Sequence, residues 1–151
     1  MPRATKPSFI TELPLKVDSK QDCELEARFQ GARQLYNACL GEAMTRLNLV
    51  RNSTAYQEAK KIPRTAKKQR SEAFEVASDA YSYSEFDLIK QAAVMAKASK
   101  WIAEKVDAST CQAIAKRAFR ASQRVMFGRA KKVRFRVPSQ FKSVENQTKL
   151  V

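Results

Sequence analysis

The sequence contains no histidine and only 3 cysteines, 3 glycines and 5 prolines among 151 residues. Histidine is the side chain most often used for acid–base work and metal binding near neutral pH, so such chemistry is not expected here. The cysteines, Cys23, Cys39 and Cys111, form no C-x-x-C pair, which argues against a zinc site. Their odd number and wide spacing indicate reduced thiols and favour a cytoplasmic location. Scarce glycine and proline leave little turn chemistry for a many-stranded β fold, which favours helix.

Several features of membrane proteins, exported proteins and enzymes are also missing. No stretch approaches the roughly 18 apolar residues of a membrane span. No apolar run follows the basic N-terminus as in a secretory signal, so we expect neither export nor membrane association. The sequence also lacks a clear set of catalytic carboxylates. A predicted helix start is surrounded by Asp79, Glu85 and Asp87, but carboxylates are common there for electrostatic reasons. Without a phosphate-binding glycine loop or a nucleophile beside a base, the sequence predicts no catalytic residue, no metal site and no cofactor.

The strongest compositional signal is positive charge. The chain has 29 Lys and Arg against 15 Asp and Glu, a formal net charge of +14 and a pI near 10.0. Such a field attracts polyanions, among which nucleic acid is the most common partner, although a charged surface can also serve solubility alone. From Lys116 onward, the only acid is Glu145, and this last quarter of the chain contributes +10 of the net charge. Clustering of this kind favours a binding surface.

The apolar residues are spaced mainly as in helices. In residues 20–50 they recur on one side of a helical wheel, which predicts one long helix. Gly128 suits the position that follows the last helix, because glycine readily adopts the left-handed conformation found there. With 44% hydrophobic residues the chain can bury a core. The predicted fold class is mainly α, a helical bundle with helices at 20–50, about 65–78, 85–106 and 109–127.

Two short segments alternate apolar and polar residues and are predicted to be strands at the edge of the bundle. These are residues 9–17, which contain Pro14, and residues 132–137, which precede Pro138. We therefore expect one unit over residues 1–151, with β segments at 1–18 and 129–151 and a helical region at 19–128.

The candidate binding residues lie on the last predicted helix and on the segment after it. Arg117, Arg120 and Arg124 share one helix face without a nearby acid, and a phosphate backbone would relieve their repulsion. The alternative is a solvated helix face beside a basic edge strand that prevents aggregation. Phe135 is in phase with Val133 and is expected in the core, not stacked on bases. The candidate set is Lys116, Arg117, Arg120, Arg124, Arg129, Lys131, Lys132, Arg134, Arg136 and Lys142, and Lys149 also belongs to this basic region.

Three stretches together resemble a known family. They are "QDCELEARFQGARQLYNACLGEAMTRL", "DASTCQAIAKRAFRASQRVMFGR" and "VRFRVPSQFKSVENQTK". In order and spacing they are similar to the N-terminal part of the TnpB family, the insertion-sequence OrfB transposases, which are relatives of the type V CRISPR effector nucleases. Val133 stands where that family usually has a proline before the Arg–Phe pair. The matching residues are Arg33, Tyr36, Asn37 and Leu40 in the first stretch, Gln112, Arg117, Ala118, Phe119 and Phe127 in the second, and Arg134 and Phe135 in the third.

The resemblance implies a lineage of RNA-guided DNA endonucleases involved in transposition. It implies wedge-like β segments that grip a guide RNA, and recognition-lobe helices around the guide–target duplex, with arginines on phosphates. The family's RuvC-like nuclease acids and zinc-ribbon cysteines lie downstream of the matched part. The chain is therefore expected to be a truncated, non-catalytic portion that binds RNA or DNA, and a separate polypeptide is a candidate for the nuclease half.

Two other functions compete with this one. The stretch "IAEKVDASTCQAIAKRAFR" has some features of a helix-turn-helix, with a turn near Asp107 and Arg117 on the second helix, which would suit a DNA-binding regulator. The third possibility is a helical domain that binds an acidic protein. The sequence does not indicate an oligomeric state.

Overall fold

The fold is a bundle of six α-helices within Pro7 and residues 9–146, the part of the chain that the structure, a computed structural model, describes. Lys149 lies outside these residues. The prediction of a mainly helical bundle is confirmed. No helix in the described part has the length and apolar character that a membrane crossing requires. The helices are α1 (Ser19–Asn52), α2 (Thr54–Lys61), α3 (Lys67–Asp79), α4 (Glu85–Ala98), α5 (Lys100–Lys105) and α6 (Ala108–Met126), and a 3-10 turn follows at Pro138–Gln140.

The long helix α1 begins at a capping box. The Asp18 carboxylate accepts the backbone N–H of Gln21 at 2.8 Å, and the Gln21 side chain accepts the N–H of Asp18 at 3.0 Å. This reciprocal arrangement satisfies two backbone donors of the first turn, which no residue within the helix can pair. Leu40 and Leu47 are fully buried on the predicted apolar face, and Leu35 is fully buried as well. The helix therefore forms one wall of the core along most of its length.

The core lies where α6 packs against α1 and α4. Three side chains of α6 are buried at these contacts: Ile114, Ala115 and Ala118. The small alanine side chains at 115 and 118 allow the helices to approach closely. Near the other end of α6, the Tyr83 hydroxyl and the Ser122 hydroxyl form a buried hydrogen bond of 2.8 Å. A buried hydroxyl needs such a partner, so this pair fixes the α3–α4 turn against α6.

The helix predicted at 85–106 is broken into α4 and α5 at Ser99. Ser99 has an extended backbone (φ −113°, ψ 108°), and its hydroxyl oxygen accepts the N–H of Ile102 at 3.4 Å. The serine thus ends one helix and caps the next. Ile102 and Val106 are still buried beyond the break. Because the apolar face continues past Ser99, the hydrophobic pattern does not indicate the break.

The predicted strand at 9–17 is wrong. This segment has no regular secondary structure, and its apolar side chains are exposed: Phe9 to 90% and Ile10 to 94%. A strand is stable only when another strand pairs with its backbone, and none does so in the described residues. The alternation therefore marks an exposed arm that precedes α1.

The predicted strand at 132–137 is also wrong, and here other groups replace the missing strand partner. The backbone N–H of Arg136 donates to the Asn37 side chain at 2.8 Å, and the Asn37 amide donates to the Arg136 carbonyl at 2.9 Å. Arg33 donates to the same carbonyl at 3.2 Å. Side chains of α1 thus satisfy backbone groups that a neighbouring strand would otherwise pair. Residues 129–146, which we call the strap, run across the bundle without entering a sheet.

The chain leaves α6 through a turn at Gly128, as predicted. Gly128 has φ +69°, its N–H donates to the Val125 carbonyl, and the N–H of Arg129 donates to the Arg124 carbonyl at 2.7 Å. These bonds form the Schellman motif, in which glycine avoids the clash that other residues meet at positive φ. The turn reverses the chain and starts the strap.

Two glycine-to-alanine variants are expected to change stability in opposite directions. Gly128→Ala places a Cβ at φ +69°, which costs about 1–2 kcal/mol although no atom lies within 4 Å. Gly41→Ala adds a methyl group inside α1 that meets only the Phe135 ring, at 4.0 Å. Alanine favours a helix interior over glycine by about 1 kcal/mol, so stability should rise. Urea unfolding curves measure both changes, and a destabilised Gly41→Ala would contradict the open space beside it.

The three cysteines are expected to differ in reactivity. Cys23 is exposed, whereas Cys39 and Cys111 are buried between α1 and α6. Burial raises the pKa of the Cys39 thiol from 9.0 to about 12 and also raises the pKa of Cys111. At neutral pH the reactive thiolate fraction of Cys39 then falls by about 1,000-fold. A disulfide reagent should therefore titrate one thiol in the native protein and all three in urea, and rapid reaction of a second native thiol would contradict the packing.

Candidate nucleic-acid interface

A groove of about 570 Å³ lies where α6 meets the strap. Arg124 of α6 and four strap residues supply cations to its walls, and no carboxylate is among the described residues that line it. Tyr36, Ala121, Ala130 and Val133 form the rest of the lining, and the Tyr36 ring is almost fully buried. We call this site the basic groove. Its five cationic residues are Arg124, Lys131, Lys132, Arg134 and Arg136.

The turn at Gly128 explains why these side chains converge. The N–H of Ala130 donates to the Arg124 carbonyl at 3.0 Å, which holds the start of the strap against the end of α6. Ala130 and Val133 are half-buried and pack on the core. Lys131, Lys132 and Arg134, which lie between or beside them, remain exposed. Two apolar contacts therefore turn the neighbouring basic side chains outward.

Arg136 is held through its backbone. Its N–H and carbonyl both bond to Asn37, whereas the buried Nε of its side chain has no hydrogen-bond partner among the described residues. Gln30 of α1 also donates to the Pro138 carbonyl at 3.3 Å, two residues further along. The polar face of α1 therefore positions the middle of the strap, and with it the cations of the groove.

Asn37→Ala is expected to lower the free energy of unfolding by about 1–3 kcal/mol, because it leaves the Arg136 N–H unpaired and removes one of the two bonds to its carbonyl. Nucleic-acid affinity should fall with it, since the groove cations lose their fixed placement. Urea unfolding and a binding titration measure the two effects. The control is Gln34→Ala, at an exposed position of the same helix, which is expected to change stability by less than about 0.5 kcal/mol.

Arg117 does not belong to an exposed ridge with Arg120 and Arg124. Its guanidinium lies 5.0 Å from the Phe141 ring centre and 5.7 Å from that of Tyr36, and it donates to the Ser143 carbonyl at 3.1 Å. It therefore holds the strap onto α1 and α6. Arg120 and Arg124 are exposed on that face, whereas Arg117 is half-buried, and a phosphate contact of Arg117 stays a prediction.

The other candidates lie outside the groove lining. Arg120, Arg129 and Lys142 are exposed, and Lys116 is half-buried with a partner of its own. Lys116 apart, none of the ten candidates forms an ion pair with a carboxylate in the described part of the chain; the ion pairs there involve other residues. The positive charge of the groove is therefore not neutralised by neighbouring acids.

The two phenylalanines of the strap differ in burial, and the one expected in the core is the exposed one. Phe135, expected in the core, is 54% exposed, whereas Phe141 is only 3% exposed and packs 5.7 Å from the Tyr36 ring. Sequence reasoning from the residues alone missed Phe141, Asn37 and Arg33 as the groups that hold the strap. Arg33 and Asn37 are four residues apart on one face of α1, and this polar pair beside an apolar stripe was the available signal.

In the helix pair that resembles a helix-turn-helix, the second helix is partly covered at its start. Such a motif reads base edges with the first residues of its second helix, but Thr110 and Cys111 near the start of α6 are buried. The strap also reaches this end: the Ser109 hydroxyl donates to Asn146 at 2.9 Å, and the Asn146 amide donates to Asp107 at 3.3 Å. The geometry therefore gives no support to base reading by α6.

Among the described residues, no group of three or more His, Cys, Asp or Glu side chains is arranged to hold a metal ion. Comparison of the chain with protein-family models, curated proteins and solved structures finds no match.

Proposed function

We propose that this protein binds the sugar–phosphate backbone of nucleic acid in the basic groove and catalyses no reaction itself. The observation that carries the proposal is the convergence of five cationic residues on one groove, which no carboxylate lines within the described part of the chain. Like charges held close together repel each other, and the negative charges of a bound polyanion offset this repulsion. A surface tuned for solubility alone would instead intersperse acids with these cations.

The chemistry of the groove favours contact with phosphates over reading of bases. Lys and Arg are the usual partners of phosphate oxygens. The one aromatic ring in the lining, Tyr36, is 3% exposed and is not available for base stacking. Proteins that contact only the backbone distinguish nucleic acids by shape, as with A-form RNA or an RNA–DNA hybrid. Together with the resemblance to TnpB, this favours a guide RNA or RNA–DNA duplex as partner, in a non-catalytic portion of an RNA-guided endonuclease.

A salt titration tests the proposal. Anisotropy titrations with a labelled RNA hairpin, an RNA–DNA hybrid and duplex DNA give the dissociation constant at several salt concentrations. Each phosphate contact contributes about −0.7 to −0.9 to the log–log slope, so four or five contacts predict a slope of about −3 to −4.5. The hairpin or hybrid should bind most tightly. A slope near zero, as expected for a protein-binding domain, or preference for one duplex DNA sequence, as expected for a regulator, would overturn the proposal.

A further inference from the structure

A second groove, also of about 570 Å³, lies on the side of α3 that faces α6. Helix α3 packs mainly on α2 and also touches α1. Phe74, Glu75 and Asp79 of α3 line one wall at helical spacing, and the end of α6 with Phe127 lines the other. Tyr56 of α2 and Glu85, the first residue of α4, also contribute. The groove is a seam between helices that the bundle itself leaves open.

Aromatic and other apolar side chains form much of the lining of this groove. The rings of Tyr56 and Phe74 lie 5.2 Å apart and are half-buried. Phe127, at the end of α6, is 63% exposed although it is among the largest apolar side chains of the chain. Apolar surface of this kind in a concave seam is typical of sites that take an apolar side chain of a partner.

Three acidic residues line this groove, in contrast to the net charge of +14 of the whole chain. Glu75, Asp79 and Glu85 line the groove, and none of them forms an ion pair with a cation among the described residues. Arg70 lies 5.1 Å from the Phe74 ring centre, but its guanidinium donates to the backbone carbonyls of Lys60 and Ile62. The three carboxylates thus form a local negative field beside an apolar surface.

We infer that this acidic groove binds a short basic segment of a partner protein, with an apolar side chain between the aromatic residues and Lys or Arg beside the three carboxylates. Complementary charge at the rim and an apolar anchor at the centre are the usual division of roles at a protein interface. Nucleic acid does not fit, because the carboxylates would repel its phosphates. A volume of about 570 Å³ lies within the range of about 300–1,000 Å³ for ligand sites. The inference does not depend on nucleic-acid binding in the basic groove.

Panning of a random 12-residue peptide library on the folded full chain tests the inference, because such a library offers basic, acidic and apolar peptides alike. We expect enriched peptides that combine two or more Lys or Arg with an aromatic or long aliphatic residue. The best such peptide, synthesised and labelled, is then titrated against variants. The triple variant Glu75→Gln, Asp79→Asn, Glu85→Gln should bind it at least tenfold more weakly, and so should Phe127→Ala.

A matched control removes the same amount of negative charge elsewhere. The variant Glu58→Gln, Glu72→Gln, Glu104→Gln alters three exposed acids outside the groove and should bind the peptide as the unaltered chain does. Circular dichroism confirms the helical fold of each variant. The inference is overturned if panning enriches no peptide or an acidic one. Equal binding by both triple variants, or by Phe127→Ala and the unaltered chain, also overturns it.

Discussion

Replacing Arg124, Lys131, Lys132 and Arg134 together by glutamine is expected to weaken the binding of an RNA hairpin by about 100- to 1,000-fold near 0.1 M salt. All four residues line the basic groove, are exposed and have no side-chain hydrogen bond or ion pair among the described residues. The substitutions should therefore leave the fold intact. Each lost phosphate contact also removes its share of released counterions, so the log–log salt slope should become shallower by about 3. Arg136 is left unchanged because it is half-buried.

The control for this prediction removes the same number of positive charges outside the groove. Four exposed lysines change to glutamine, and the net charge falls equally in both variants. We expect this control to lose less than about tenfold in affinity, because unclustered charges contribute only a screened, long-range attraction. Equal losses in the two variants would mean that net charge, and not the groove, determines binding. The four control positions are Lys20, Lys90, Lys97 and Lys100.

Helix positions could be predicted from the sequence where a continuous apolar face is buried against other helices. Residues 20–50 were predicted as one helix, and α1 runs from Ser19 to Asn52, because its leucines recur at helical spacing. The break at Ser99 could not be predicted in this way. It depends on a serine cap, which competes with helix continuation through one hydroxyl hydrogen bond. Hydrophobic periodicity does not register that local competition.

The basic residues of the groove could be named from the sequence, but their arrangement could not. Charge density after Lys116 identified the region, whereas the convergence of five cations depends on the turn at Gly128 and on contacts from far away in the chain. Asn37, for example, holds Arg136 across 99 residues. Alternation at 132–137 is typical of a strand and therefore predicted one. The pattern does not show whether the backbone of this segment pairs with another strand or with the side chains of a helix. The same ambiguity placed Phe135 in the core.

Phe141→Ala is expected to destabilise the protein more than any other single change to the strap. Phe141 is the only buried residue between positions 129 and 146, and it packs between Tyr36 and the Arg117 guanidinium. Truncating a buried phenylalanine costs about 3–5 kcal/mol, because the removed ring leaves a cavity and its neighbours lose their contacts. Elsewhere the strap is held by half-buried hydrogen bonds from Arg33 and Asn37 and by the partly buried side chains of Ala130 and Val133. We therefore expect the strap to detach from the bundle in Phe141→Ala, which makes the loss of stability of the helices smaller than this full cost.

Detachment can be distinguished from global unfolding because the strap carries trypsin sites at Lys131, Lys132 and Arg134. In Phe141→Ala trypsin should cleave the peptide bonds after these residues at least tenfold faster. The helical circular dichroism of α1–α6 should persist. The affinity for the RNA hairpin should fall, because the geometry of the basic groove is lost. Phe135→Ala is the matched control. It removes the same kind of ring from the strap, but the Phe135 side chain is 54% exposed. Its stability should change by about 0.5 kcal/mol or less. Equal cleavage rates in the two variants would show that the Phe141 contact does not anchor the strap, and the basic groove would then need another explanation for its shape.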